Sequence, residues 1–375
     1  MAAKDKSIYE LFTIKSNDGS KTIDLRGAIV AFSYFENVFS PMLTAQIIVA
    51  TTGNVITDED GDKTSIYNGL PLRGGEKVSI KIPANSGNNV DLEFTEEKGN
   101  ELYVGSITNI TIKAEKELFT LNLVSREAIT NETQRVGKKF PVTEPISDSV
   151  KEIIKEYLLS EKEVDVDETQ NPYGFIGNLK KPFTIITWLA AKSVPGNVGG
   201  ESATAGYFFF ETKEGYHFRS IDSLIAQPPY EIEYTYSPSV VDNQDPDADF
   251  KILSYETTYN QNLIQNLERG AYCSYRMFYN PYSMSFTTPE QGLFQVSKSA
   301  EKMENLGKDF EVFLPPVDKE NKSLAEVPSR MITGVLDFGT LERKGSRQNK
   351  KNADPMEYQS QSMMRYNTLF TQQVE

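Results

Sequence analysis

The chain has 375 residues, room for two or three domains, and its 38% hydrophobic content with 21 Phe and 19 Tyr excludes a disordered polymer. Its 39 basic and 53 acidic residues give a net charge of −14, which excludes electrostatic clinging to nucleic acid. No apolar run reaches the roughly 18 residues that a membrane-spanning helix needs, and the lysines and acids of residues 1–10 leave no place for a secretory h-region.

The first third reads as β structure. Residues 9–25 form two short strands around Asn17-Asp18-Gly19, a hairpin signal because glycine supplies the positive φ of such turns. Residues 27–35 and 42–50 form the next pair. Apolar and polar residues alternate over 78–82 and again over 90–94, with the turn Asn85-Ser86-Gly87-Asn88 between them. Residues 103–112 and 118–124 complete the set. Period 2 with no long helix between strands predicts a β-barrel or sandwich.

The pattern changes near Pro141. Ile146, Val150, Ile153, Ile154, Tyr157 and Leu158 fall at helical spacing, and Ser149 with Glu152 resembles a capping box. After a polar stretch over 160–170, residues 183–194 predict a second helix, entered through Pro182 and stopped by Pro195. Residues 196–206 read as a small-residue loop, and 207–212 with 216–221 as a hairpin. Phe183, Ile186, Leu189 and Ala190 share one helix face, and Phe208 and Phe210 share one strand face. The helix is therefore expected to pack on that hairpin through those faces, with Trp188 in the core.

Beyond Pro228-Pro229, residues 230–236, 250–259, 267–279 and 328–336 are strand-like, 295–306 a short helix or a loop, and 363–373 a terminal apolar segment. The expected class is mainly β with an α/β insert. Two tube-type β-barrel domains, 1–140 and 228–375, flank a smaller α+β domain at 141–227, the last domain being incomplete or closed by a partner.

Chemistry is sparse. The single histidine, His217, lies mid-strand between aromatics and reads as structural. The single cysteine, Cys273, rules out an internal disulfide and reads as a small buried residue. A structural zinc site needs a Cys/His cluster that is missing. Asp58-Glu59-Asp60-Gly61-Asp62 is not an EF-hand, because Ile56 stands where its first aspartate belongs, and it reads as a solvated loop, as does 242–249. No phosphate-binding glycine motif occurs. Arg343, Lys344, Arg347, Lys350 and Lys351 read as a solvated basic loop. No catalytic residue, cofactor or metal is expected.

Three segments resemble a known family: 182–195 (PFTIITWLAAKSVP), 206–222 (GYFFFETKEGYHFRSID) and 361–367 (QSMMRYN). They are similar to central baseplate hub proteins of T-even-like, cyanophage-type contractile phages, which are related to type VI secretion spike hubs. The resemblance implies a homotrimer whose paired barrels make a pseudo-sixfold ring between tail tube and central spike. It also implies contacts with baseplate wedge or inner baseplate proteins, a location in the virion tail after assembly in the host cytoplasm, DNA passing the channel without specific binding, and no membrane insertion. In one respect the chain departs from the family, where a β region is expected after the Arg-Tyr-Asn segment; here the sequence stops at Glu375. The alternative expectation is a receptor- or carbohydrate-binding module of a phage tail.

Overall fold

The computed structural model describes residues 8–335 with internal gaps, the longest at 197–206, 237–250, 253–261 and 296–321. It opens with β1 (Leu11–Lys15), β2 (Thr22–Asp24), β3 (Ile29–Phe35) and β4 (Thr44–Thr51). The short pair β5 (Ile56–Thr57) and β6 (Lys63–Thr64), helix α1 (Ile66–Gly69), and strands β7 (Lys77–Ile82), β8 (Leu92–Phe94), β9 (Leu102–Lys113) and β10 (Lys116–Ser125) follow. Eight of these strands form one antiparallel sheet in the order β2-β1-β7-β9-β10-β4-β3, with β8 beside β7. The sheet curls into a half-barrel, and the fold is mainly β.

Each hairpin expected in this third is present. At the first, Gly19 takes φ 73° and the Asp18 carboxylate accepts from Ser16 Oγ at 2.6 Å. Alternation buries Phe12 and Ile14 of β1, Ile47 and Val49 of β4, Val78 and Ile80 of β7, and Phe119, Leu121 and Leu123 of β10. The curl brings Phe12 edge-on to Phe32 of β3, at 5.5 Å between centroids. Each such side chain contributes about 1.5–3 kcal/mol by leaving water. Two carboxylates are sunk in this unit. Glu117 of β10 accepts from the backbone N–H of Ile66 and Tyr67 at 2.9 and 2.8 Å, which anchors the start of α1. Glu76 accepts from the N–H of Arg73 and Gly74 and fixes the turn before β7.

The middle third contains α2 (Arg126–Thr133), β11 (Lys139–Phe140), α3 (Ile146–Glu156), β12 (Glu163–Val166), β13 (Phe175–Ile176), α4 (Pro182–Ala190), β14 (Tyr207–Glu211), β15 (Gly215–Ser220) and α5 (Ile221–Ile225). Strands β12, β15 and β14 form a sheet in that order, with β12 parallel to β15. Both expected helices and the hairpin are present. The capping box is not: α3 begins after Pro145, so Ser149 is an interior, buried residue, and Glu152 instead pairs with Lys138. The polar stretch over 160–170 contains β12, a strand whose side chains alternate between half-buried valine and exposed acid. The glycine-rich loop at 196–206 lies almost wholly outside the described residues.

The last third shows the parallel pair β16 (Thr235–Tyr236) and β17 (Lys251–Ile252), helix α6 (Leu263–Arg269), and strands β18 (Cys273–Asn280), β19 (Ser285–Phe286), β20 (Leu293–Gln295) and β21 (Arg330–Val335). The last four form a sheet centred on β18. The strand expected over 267–279 is helical as far as Arg269. Gly270, with φ 73°, ends α6, and the strand begins only at Cys273. Residues 58–62, 85–88, 242–249, 296–306, 343–352 and 363–373 lie outside the described residues.

Candidate interaction surface

Helix α4 is apolar almost all round, so one face enters a core while another stays in water. Phe183, Ile185, Ile186, Leu189 and Ala190 are buried. The helix does pack on the β14–β15 hairpin, with Phe183 against Phe209 at 5.7 Å and Tyr216 at 6.3 Å. The strand face is the opposite of the one expected. Tyr207 and Phe209 point at α4, whereas Phe208 and Phe210 point away and are buried in a second, smaller cluster with Ile221. Both faces of β14 are covered, so alternation alone does not tell which meets the helix.

Trp188 is also not core. It is 41% exposed, since 100° per residue groups it with Thr184 and Thr187 on the outer face. Its ring stands edge-on to Tyr173 and Phe175 at 5.5 and 5.6 Å, and Lys192 Nζ lies 5.1 Å from its centroid. Facing it, the β3–β4 loop carries the exposed apolar residues Val38, Phe39 and Met42. Pro41 of that loop and Phe183, Thr184, Thr187 and Trp188 of α4 enclose a shallow groove of about 480 Å³.

Loop 36–43 is pinned to the hairpin at three points. Lys213 N–H donates to Glu36 Oε1 at 2.6 Å, Phe39 stacks edge-on to Phe208 at 5.1 Å, and Leu43 N–H donates to Glu211 Oε2 at 2.9 Å. Glu211 is the centre of a buried joint between the curled sheet and the α/β unit. Its Oε2 also accepts from Ser125 Oγ at 2.7 Å, which diverts that hydroxyl from capping α2. Its Oε1 lies 2.6 Å from Lys162 Nζ, which reaches Glu127 Oε2 of α2 at 2.7 Å. Ser160 Oγ donates to Glu127 Oε1 at 2.8 Å.

Two carboxylates share one buried ammonium here, and their environments separate them. Burial pushes the Glu211 carboxyl above its ordinary range, against the pull of Lys162. Glu127 is desolvated too, but the Lys162 charge and the Lys162 and Ser160 hydrogen bonds hold it below that range. Lys162 is desolvated, and its two carboxylates nevertheless raise it. Burial beside Glu211 and Glu127 pushes the Tyr216 phenol well up.

Its structural neighbours are phage tail and type VI secretion proteins. The chain is similar to the 43 kDa tail protein of prophage MuSo2 from Shewanella oneidensis, at 8% identity and TM-score 0.41 over 89% of this chain and 76% of that one. It is similar to a tail protein from Neisseria meningitidis MC58, at 8% identity and TM-score 0.44 over 94% and 74%. A component of the E. coli type VI secretion system follows at 8% identity and TM-score 0.32, over 62% and 50%. No protein-family model matches the chain, and no curated protein matches it.

The residues weighed for chemistry fall elsewhere. His217 lies in β15, its Nε2 2.8 Å from Thr212 Oγ1, its Nδ1 3.4 Å from Asp165 Oδ2 and its ring on Phe210. Cys273 is buried in β18. Among the described residues no group of three or more His, Cys, Asp or Glu side chains is placed to hold a metal, and no helix is long and apolar enough to cross a membrane. Reading the sequence for motifs missed the joint. One signal was present: Glu211 closes the run Tyr207–Phe210, so its carboxylate follows four bulky aromatics into the interior.

Proposed function

We propose that the chain is a structural, non-enzymatic subunit of a contractile phage tail: the baseplate hub, a homotrimer forming a pseudo-sixfold ring between the tail tube and the central spike. The observation that carries this reading is the curled eight-stranded sheet. Among the described residues neither end strand of its main order, β2 or β3, has a second strand neighbour, and β8 pairs with β7 alone. Open edges of a curled sheet are satisfied by neighbouring subunits in a closed assembly, and a ring removes them by symmetry. The resemblance of 182–195, 206–222 and 361–367 to hub proteins supplies the identity of that assembly. In this reading 1–140 and 228–375 are the tube-type domains and 141–227 is the insert between them. Wedge or inner baseplate proteins contact the ring, and the virion tail is its location.

DNA passes through such a ring without specific binding. Each lysine or arginine on a phosphate adds a salt-dependent hold, so a passage for DNA is lined by neutral or acidic groups. The net charge of −14 supports that lining, with 343–351 turned away from the axis or against a protein partner. Light scattering of the full chain, alone and with its spike protein, tests the assembly. Three copies per complex are expected, and a stable dimer or hexamer overturns the proposal. Tight binding of the trimer to duplex DNA at about 0.15 M salt overturns the lining.

The alternative, a receptor- or carbohydrate-binding module of a phage tail, draws on exposed Trp188 beside Tyr173. A sugar platform needs an open ring face, whereas Lys192 covers Trp188. Glycan-array binding lost in Trp188→Ala would favour that reading over the hub.

A further inference from the structure

The joint around Glu211 has a property that neither a packing contact nor an ordinary surface ion pair has. Of the three ties from the hairpin to loop 36–43, the one nearest β4 is to a carboxylate that also binds a buried ammonium: Leu43 N–H donates to Glu211, whereas Lys213 N–H on Glu36 and Phe208 against Phe39 hold the rest of the loop. Oε2 holds Leu43 N–H and Ser125 Oγ, both on the curled sheet. Oε1 holds Lys162 Nζ at 2.6 Å. Leu43 is two residues from Pro41, which forms one wall of the groove whose other wall is α4. The Pro41 end of that wall therefore responds to the charge on Glu211, because Leu43 N–H is bound to an ionised acceptor, and such a bond weakens when the acceptor is neutralised.

We propose that Glu211 is a proton-operated joint: uptake of one proton releases Lys162 from it, shifts loop 36–43 against α4, and so changes the groove beside Trp188. The step balances simply. A proton from solvent bonds to Glu211 Oε1, the Glu211–Lys162 ion pair is lost, and Lys162 keeps its three protons and its pairing with Glu127 at 2.7 Å. Oε2 still accepts from Leu43 and Ser125, so the loop is loosened rather than freed. A proton is accommodated because the cluster holds two carboxylates, each 1% exposed, and one ammonium. Protonation leaves a neutral buried set, a state favoured in a low-dielectric interior.

The groups that face the joint from each element agree with this assignment. From α2 come Glu127 and, 3.8 Å from its Oε1, the half-exposed Arg126. The segment before β12 brings Lys162 and Ser160. β15 brings Tyr216, whose ring lies 5.8 Å from Lys162 Nζ, and β3 brings Tyr34, which is hydrogen-bonded to Glu36. Lys162 is the one cation that touches Glu211 among these. The added negative charges of Glu127 and Glu36 favour the proton, and burial raises the carboxyl in the same direction.

Trp188 is the sole tryptophan in the chain and lines the groove, so its emission reports the change directly. The experiment titrates the full chain from about pH 7.5 downward, toward the ordinary glutamate value of about 4.3, with far-ultraviolet circular dichroism followed in parallel. A reversible one-proton shift in Trp188 emission is expected above that value, with secondary structure unchanged. Glu211→Gln keeps the acceptor for Leu43 and cannot ionise, so it should show the low-pH emission throughout. His217→Asn should leave the transition in place, and Lys162→Met, which has no ammonium to release, should hold the low-pH emission throughout. Infrared difference spectra of the wild-type chain should show a buried protonated carboxyl over the same range, a readout that needs no variant to fold. No emission change before cooperative unfolding, a transition kept in Glu211→Gln, its loss in His217→Asn, or the missing carboxyl band would each overturn the proposal. None of these outcomes depends on the subunit count that tests the hub reading.

Discussion

The curled sheet and the joint beside it both bury carboxylates, and they satisfy them differently. Inside the sheet unit, Glu117 and Glu76 accept mainly from backbone N–H groups of nearby loops. No lysine or arginine is within ion-pair distance of either among the described residues. At the joint, Glu211 and Glu127 meet around Lys162. An amide donor is fixed by the chain that carries it, so Glu117 and Glu76, bound mainly by amides, fasten loops within their own unit. A lysine reaches along a flexible stem, so an ion-bound carboxylate can join units that are remote in sequence. The first arrangement is insensitive to removing any one cation, and the second depends on one.

Removing that cation should therefore produce the largest effect. Lys162→Met leaves Glu211 and Glu127 buried without their counter-charge and should cost about 3–5 kcal/mol in urea unfolding. A loss no larger than that of an ordinary surface substitution would show that the joint does not depend on its lysine. Next comes Glu117→Ala, which strands the N–H groups of Ile66 and Tyr67 and should cost about 1–3 kcal/mol. Its hydrogen-exchange signature should be faster exchange confined to the region of α1. Faster exchange spreading to α4 would erase the distinction between a local and a joining carboxylate.

Acid sharpens the comparison further. Glu127 is lowered in the folded chain, so its contribution is present above the ordinary glutamate value and is lost as pH falls through its folded value. Glu211 is raised and contributes with the opposite sign: relative to the unfolded chain, its term favours folding below the ordinary value and fades as pH rises through its folded value. Lys162 is raised, so its support is full below the ordinary lysine value and is lost as pH rises through its folded one. Thermal melts of Glu127→Gln should therefore show a weaker acid dependence than wild type below the ordinary glutamate range. Equal acid slopes would remove Glu127 from the account. The smallest effect is expected of Trp188→Ala, within about 0.5 kcal/mol, because the side chain lies on the wet face of α4. A loss comparable to that of a core residue would contradict its place at the groove.

The legibility of the chain followed the strength of its local signals. The hairpins of the first third were readable because period 2 coincides with a single buried face and with turn residues such as Gly19. Helix α4 was readable from Pro182 and its apolar run, but the side on which Trp188 falls was not. Nearly every position of FTIITWLA is apolar or small, so composition gives the helix no clear polar face. Strand β12 was hidden by its sequence, EVDV, in which acids on the open face resemble a loop. The last turn of helix α6, residues 267–269, was misread as strand because it runs directly into the aromatic run of β18. The joint was illegible for a different reason. Lys162, Glu127 and Glu211 are scattered along the chain and have no motif spacing, and only the close approach of separate elements brings them together.

The parallel pairing of β12 with β15 has a consequence for the order of events during folding. Asp165 and His217, opposite each other in that pair, are 52 residues apart, whereas the β14–β15 hairpin closes across a short turn. Closing a long loop precedes the reward of its contacts, so the hairpin and the two helices are expected to form before β12 docks. The docking point is sterically exacting. Gly215 sits at φ 150°, and a Cβ there would lie 2.2 Å from the carbonyl oxygen of Glu163. Lys162, the residue before that contact, therefore reaches its carboxylates only in the final stage. A nascent chain paused before this stage would hold two glutamates without their lysine near its forming interior, which leaves the β12 seam the slowest and most exposed edge of the maturing chain.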